Sequence, residues 1–207
     1  MTDLAWTTLD TPVGPLSLAC SGSGLAMIWF SARSGDRGEP ASGSATANDS
    51  LDAARTQLSE YFLGSRRVFD LAIDWDAVPP PRRQVLSVLF ETVQYGETVT
   101  YGSLARRAGL DAGGVEGSAP PVIPVDARDI PARAIGRIMG SNPLPLIVPC
   151  HRVVAADGLG GYSGGSGSGG STGIEIKRWL LTFEGTLPAT LDWDPSHGPA
   201  GAMPWTR

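Results

Sequence analysis

Gly136-Arg137-Ile138-Met139-Gly140-Ser141-Asn142-Pro143-Leu144-Pro145-Leu146-Ile147-Val148-Pro149-Cys150-His151-Arg152-Val153-Val154 is the stretch on which the fold of this chain turns. Its first residues finish a helix that has Asp129 as a cap and Pro131 in its first turn, where a missing N–H costs nothing. Ile135, Ile138 and Met139 form the buried stripe of that helix. Arg133, Gly136, Arg137 and Gly140 fall at i, i+3, i+4 and i+7 on the opposite face. A glycine inside a helix costs about 1 kcal/mol relative to alanine, so two on one face need a reason. Close approach to a sugar-phosphate chain is one; a tight helix–helix contact inside the protein is the other. Spacing alone leaves both open.

The second half of the stretch carries chemistry. An apolar run, Leu144 to Val148 with Pro145 inside it, leads into Pro149-Cys150-His151-Arg152. A thiol of pKa about 8.5 is only a few per cent thiolate at neutral pH, and a neighbouring cation or base raises that fraction. Cys150 has both beside it and is a candidate nucleophile. Adjacent residues in a regular strand point to opposite faces, so pairing Cys150 with His151 requires a turn or a bridging water. Pro149 favours a departure from strand geometry. Glu184 stands in the last turn of a final helix, at the unfavourable end of the helix dipole, and needs a compensating partner; His151 is one of only two histidines. The other, His197, reads as a solvated surface residue, and Cys20 as a buried small hydrophobe. Gly165-Ser166-Gly167-Ser168-Gly169-Gly170 satisfies G-x-G-x-x-G literally, but no strand leads into it and it reads as a loop.

Working outward, residues 1–81 predict a small α/β domain. Leu16, Leu18 and Cys20, then Leu25, Met27 and Trp29, alternate on either side of Ser21-Gly22-Ser23-Gly24 as a hairpin. A loop is expected over residues 31–50, then a helix with Leu51, Ala54, Leu58, Tyr61 and Phe62 on one side and Gly64 as its stop. Phe69, Leu71, Ile73 and Trp75 alternate as a further strand, and Pro79-Pro80-Pro81 marks the domain boundary. Residues 82–185 predict a helical domain. Val85, Leu86, Leu89, Phe90 and Val93 mark one helix; Tyr101, Leu104, Ala105 and Ala108 mark the next, with Thr100 as N-cap and Gly109 as stop. Residues 111–128 read as an extended loop. Ile176, Trp179, Leu180 and Phe183 mark the final helix, ending at Gly185, and 186–207 read as an irregular tail. Two helices followed by an extended segment suggest a helix-turn-helix.

Composition bounds the function. The 207 residues are 42% hydrophobic, enough for a packed core. No apolar run approaches the roughly 18 residues that span a bilayer, so no membrane partner is expected. The start, Met1-Thr2-Asp3-Leu4, has no basic region followed by an apolar block, so no secretory leader is expected and the expected location is the cytoplasm. Two cysteines exclude a disulfide framework and argue against structural zinc. The net charge of −5 first argues against nucleic acid. Divided by region, 1–81 carry 5 basic and 10 acidic groups, whereas 82–185 carry 10 and 9. The acidity therefore lies outside the helix-turn-helix half, and modest, salt-sensitive DNA affinity from a few arginines is expected.

The opening stretch resembles the active-site signature of the O6-alkylguanine-DNA alkyltransferases, the methylated-DNA–protein-cysteine methyltransferases. Tyr95-Gly96-Glu97-Thr98-Val99-Thr100-Tyr101-Gly102, Gly161-Tyr162-Ser163-Gly164-Gly165 and the ending Trp179-Leu180-Leu181 to Glu184-Gly185 resemble further blocks in the same order. The resemblance is strong over 82–185 and looser over 1–81. It implies an α/β (α+β) fold: an N-terminal ribonuclease-H-like small antiparallel sheet with a helix, and a C-terminal helical domain with a winged helix-turn-helix. It implies direct-reversal repair, in which a double-stranded DNA partner is bound in the minor groove and an O6-alkylguanine is flipped out. The alkyl group would pass irreversibly to Cys150, once per molecule and with no cofactor. By the same resemblance His151 and Glu184 would activate Cys150 through water. Tyr101 would donate to the departing guanine, Ser163 would stabilise O6, and Tyr162 would wall the pocket. The carbonyls of Cys150 and Val153 would accept from the exocyclic amine. Arg133 would fill the stack on a helix kept slender by Ala132, Ala134 and Gly136, and Asn142 would be the hinge to the cysteine loop. Cooperative self-association on DNA is left open.

The chain departs from that pattern at Leu86 and Gln94, and in two added loops, 111–128 and 166–173. Some relatives bind zinc in the N-terminal domain; residues 1–81 here hold only Cys20 and no histidine, so none is expected. Three rivals remain: a non-transferring sensor of alkylated bases, which would lack the acceptor cysteine; an alkylation-responsive DNA-binding regulator; and a Cys-His hydrolase, which needs an oxyanion hole the sequence does not disclose.

Overall fold

The computed structural model describes residues 4–30, 43–110, 131–161, 171–190, 194 and 198–199. The loop 111–128, the cap Asp129, Tyr162, Ser163, His197 and the Gly/Ser run to residue 170 lie outside the described residues.

The N-terminal half is an antiparallel sheet in the order β1 (Ala5–Leu9), β2 (Leu16–Ser21), β3 (Gly24–Phe30), with helix α1 (Ala45–Phe62) against it. The hairpin expected from the alternating residues is β2–β3, turning through Gly22 and Ser23. β1 was not anticipated; its Thr7 and Thr8 suit a pleated edge, and Trp6 pairs with Ala19. α1 begins six residues before Leu51, because Ser44 caps it by accepting from Ala47 N; residues 45–50 are therefore helix and not loop.

One further expectation is corrected. The alternation Phe69 to Trp75 does not make a strand. The segment lies against the start of β3 through Leu25 N–H to Ala72 O (2.9 Å) and Asp74 N–H to Leu25 O (3.0 Å), a single bridge, and then turns as a 3-10 helix at Trp75–Ala77. The contact is so close that a Cβ on Gly24 (φ +131°) would collide with Ala72 O, so only glycine serves there. The proline run expected at the domain boundary opens a helix. Pro79 is the N-cap, and Pro80 and Pro81 are the first residues, of α2 (Pro80–Thr92), where proline's fixed φ suits the first turn.

The second half holds α3 (Tyr101–Arg107), capped by Thr100 as expected, α4 (Pro131–Gly140) packed on α3, and α5 (Ser171–Phe183). Residues 171–173, expected as part of an added loop, are the first turn of α5. β4 (Val99–Thr100) and β5 (Val153–Val154) pair in parallel, joining the entry of α3 to the segment after Cys150. The resulting architecture is mixed α/β, with the sheet N-terminal and the helices C-terminal. One continuous core, from Leu16 and Leu58 through Leu86, Leu104 and Leu144 to Leu180, runs beneath both halves. No helix among the described residues is long and apolar enough to cross a membrane.

Candidate active site

Asn142 fixes the chain as it leaves α4. Fully buried, its Nδ2 donates to Val148 O (2.8 Å) and its Oδ1 accepts from Leu144 N–H (3.0 Å), so one amide closes the Pro143–Pro145 turn from both ends. Just after that turn buried Leu146 adopts φ +75°, a left-handed conformation costly for a non-glycine residue. The chain then enters a 3-10 turn, Cys150–Arg152, with Pro149 as its N-cap. Such a turn does not send successive side chains to opposite sides, and the strand-geometry objection to a Cys150–His151 pairing disappears.

Glu184 sits beneath the turn and is buried. His151 Nε2 lies 2.9 Å from its Oε1, and Arg152 donates from Nε to Oε2 (2.8 Å) and from Nη2 to Oε1 (2.9 Å). Burial alone would raise the Glu184 carboxyl; the His151 ring and the Arg152 guanidinium outweigh it and hold it well below the usual carboxylate range. Burial lowers His151, so its ring is neutral. A carboxylate can only accept, so His151 carries its proton on Nε2, and Nδ1 is a bare acceptor. Nδ1 is fully buried and makes no hydrogen bond to the described residues. An orphaned buried acceptor is rare enough to call for a role. The compensating partner expected for Glu184 is thus His151 together with Arg152. A third donor, Tyr61 Oη at 2.8 Å, comes from α1.

On its other side Cys150 borders a cavity of about 440 Å³ lined also by Tyr101, Ala132, Arg133, Gly136, Met139, Gly140 and Gly161. The glycine-bearing face of α4 therefore opens on this space. A Cβ on Gly136 would meet nothing within 4 Å, so a tight internal helix contact is not what keeps it glycine. Arg133 is exposed, whereas Ala134 is buried and faces the core rather than the cavity. Tyr101 donates to Gly161 O (3.1 Å); burial and then Cys150 raise its phenol, which keeps its proton at neutral pH. Gly160 (φ +69°) lies under that ring, where a Cβ would come within 2.9 Å of Tyr101 Cε2.

Two carbonyls expected to meet substrate already have donors. Cys150 O accepts from Val153 N–H inside the turn, and Val153 O accepts from Lys177 Nζ (2.7 Å). Each oxygen keeps a second lone pair. Lys177 also donates to Leu159 O (2.5 Å) and Gly161 O (3.1 Å), stitching α5 to the cavity rim; burial pulls its pKa down to about 8, with Cys150 opposing. Sequence reasoning missed Lys177, the Tyr61 hydroxyl, and the pairing of Arg152, read only as a cation beside Cys150, with Glu184. Lys177 was within reach, since it shares the α5 stripe of Leu180 and Glu184 at i, i+3 and i+7.

Comparison with known proteins gives the same picture for both halves. Residues 80–186 match the family described as 6-O-methylguanine DNA methyltransferase, DNA binding domain, and residues 4–75 match its ribonuclease-like domain. The methylated-DNA–protein-cysteine methyltransferase of Mycobacterium tuberculosis is 35% identical, over 86% of this chain and 90% of the relative. A Thermus thermophilus protein named DNA base-flipping protein is 34% identical, over 86% of this chain and 99% of its own length. The crystal structure of M. tuberculosis OGT in complex with DNA superposes with a TM-score of 0.62 at 31% identity, over 94% of this chain and 95% of that one. A buried Glu-His pair behind a cysteine, a cavity before it, and family matches across both halves lead to one conclusion: this chain belongs to the 6-O-methylguanine DNA methyltransferase family.

Proposed function

We propose that Cys150 is the acceptor through which this chain, a methylated-DNA–protein-cysteine methyltransferase, carries out direct-reversal repair of O6-alkylguanine in duplex DNA. The observation that carries the assignment is the bare, buried Nδ1 of His151, oriented by Glu184, next to the cysteine that borders the cavity. His151 takes the thiol proton through a water, and the thiolate attacks the alkyl carbon in line. The C–O bond breaks as the S–C bond forms. Tyr101, which keeps its proton, donates to the guanine ring as negative charge develops there. The thioether is stable, so each molecule acts once.

DNA binding follows the same geometry. α4 offers a low-bulk face at Ala132 and Gly136, suited to a narrow minor groove, and Arg133 fills the stack left by the flipped base. Minor-groove readout is degenerate, as scanning any sequence for damage requires. Asn142 is the hinge between that helix and the cysteine turn. The pocket wall at Tyr162, the O6 contact from Ser163, and acceptance of the exocyclic amine by the Cys150 and Val153 carbonyls belong to the same reading. So do action in the cytoplasm and any cooperative self-association along DNA.

The test is intact mass after incubation with duplex DNA carrying O6-methylguanine. One added methyl group, mapped to Cys150, is expected. Binding with no mass gain would instead make the chain a base-flipping sensor, a class represented by the T. thermophilus relative's name.

A further inference from the structure

We infer that Tyr61, supplied by the N-terminal half, is a positioning residue for alkyl transfer: its hydroxyl donates to the same Glu184 oxygen that holds His151. This rests on the roles proposed above for Cys150, His151 and Glu184. Tyr61 lies on α1, 123 residues before Glu184, and is buried. Its ring packs against Phe62, Phe69, Tyr95 and Phe183 at centroid distances of 5.1–6.2 Å, which accounts for the ring. It does not account for the hydroxyl, which leaves that cluster and reaches Glu184 Oε1 at 2.8 Å.

Oε1 thus takes donors from Tyr61, from His151 Nε2 and from Arg152 Nη2, while among the described residues Oε2 takes Arg152 Nε alone. A carboxylate oxygen shared among three donors pulls less on each. Removing one strengthens its hold on the His151 proton, which makes the imidazole more basic at Nδ1. Tyr61 therefore keeps the ring neutral and its Nδ1 open at lower pH. Burial and Glu184 keep the phenol itself protonated. The other groups facing this centre are Arg152, Tyr95 with Arg67 over its ring, and Lys177 on the His151 side. Of these, Arg152 alone among the described residues donates to Oε1. A second contact from the same half, Ile28 N–H to Pro143 O (2.8 Å), braces the residue after Asn142. The N-terminal half so touches the catalytic half at the relay carboxylate and beside the hinge.

Tyr61→Phe keeps the ring and removes only the donor. The full chain is reacted in single turnover with O6-methylguanine duplex across pH. The acid limb of the rate profile should move up by roughly half to one pH unit, with the two proteins converging at alkaline pH. Ring ¹⁵N spectra, simple because the chain has two histidines, should show the His151 Nδ1 protonation midpoint moving the same way. In a Glu184→Gln background, Tyr61→Phe should leave the limb in place. 3-Fluorotyrosine at position 61, a stronger donor of nearly the same shape, should move the limb down. An unchanged limb and unchanged ¹⁵N midpoint in Tyr61→Phe, whatever its melting temperature, would overturn the inference and make the residue structural only. If the wild-type chain gains no methyl group, the functional reading fails, while the ¹⁵N midpoint still decides the Tyr61–Glu184–His151 linkage.

Discussion

The two sides of Cys150 differ in kind. Behind it, Glu184, His151, Arg152 and Tyr61 are buried and share one carboxylate, with each distance between 2.8 and 2.9 Å. In front lie a cavity, an exposed arginine and a helix face with no Cβ at Gly136. The rear is an arrangement in which every change costs folding energy; the front is one in which room has been left at the expense of helix propensity. Reactivity and stability should therefore fall together when the rear is altered and separate when the front is.

Cys150 is the seam between them, and Cys150→Ala should give the largest effect: transfer abolished, with DNA binding retained, measured by mass gain and by fluorescence anisotropy on the same sample. Loss of binding as well would mean that the turn itself depends on the thiol. Glu184→Gln comes next. It strands a buried guanidinium, which costs about 3–5 kcal/mol when one partner of a buried pair is removed. It also removes the anion that orients His151, so transfer should slow about 100-fold or more. A urea midpoint that stays put would refute the tight rear just described.

The rear also sets the pH response. His151 has its pKa lowered in the folded state, so the unfolded chain binds the proton first as pH falls. Stability should be full above about 6.5 and decline below it. Glu184, also depressed when folded, adds its loss further down, below about 4.5. Urea unfolding at stepped pH would show it, and an unfolding free energy flat from pH 7 to 5 would contradict the neutral, buried ring. Lys177 carries the same logic at the alkaline end. Lys177→Met takes this donor from the Val153 and Leu159 carbonyls and leaves Gly161 O with the Tyr101 hydroxyl; it should cost about 2 kcal/mol near neutrality. Because the ammonium has a folded pKa of about 8 against 10.5 for a free lysine side chain, the wild type should gain on the variant as pH rises through that interval.

The two sides were unequally legible in the sequence. Cys150 and His151 are adjacent, and a carboxylate at a helix end announces its need for a partner, so the line from Cys150 to Glu184 could be read from one strand of text. The front was half legible: the i, i+3, i+4, i+7 spacing put Arg133 and Gly136 on one face but could not say what they faced, and the resemblance counted with them Ala134, which packing buries. Tyr61 was read only as part of an apolar stripe, because its hydroxyl finds its partner across 123 residues. The phantom strand at Phe69 to Trp75 failed for a related reason. Alternation records which side chains turn inward, and a loop pinned at one bridge to Leu25 half-buries them against the core as a strand would.

Gly136→Ala gives the smallest effect and the sharpest comparison. Gly136 lies within α4, and an added Cβ would meet nothing within 4 Å. Helix propensity then acts alone, and the variant should be more stable by up to about 1 kcal/mol, with a correspondingly higher melting temperature. On the proposed reading a methyl group on that face occupies space a sugar-phosphate chain would take, so DNA affinity should fall. The fall should be similar across sequences, because the contact is to backbone rather than to base edges. Stability rising while binding weakens is an outcome that no residue of the Glu184 cluster can give. If both rise, the glycine does not mark a DNA-facing surface, and the cavity in front of Cys150 admits its substrate by another side.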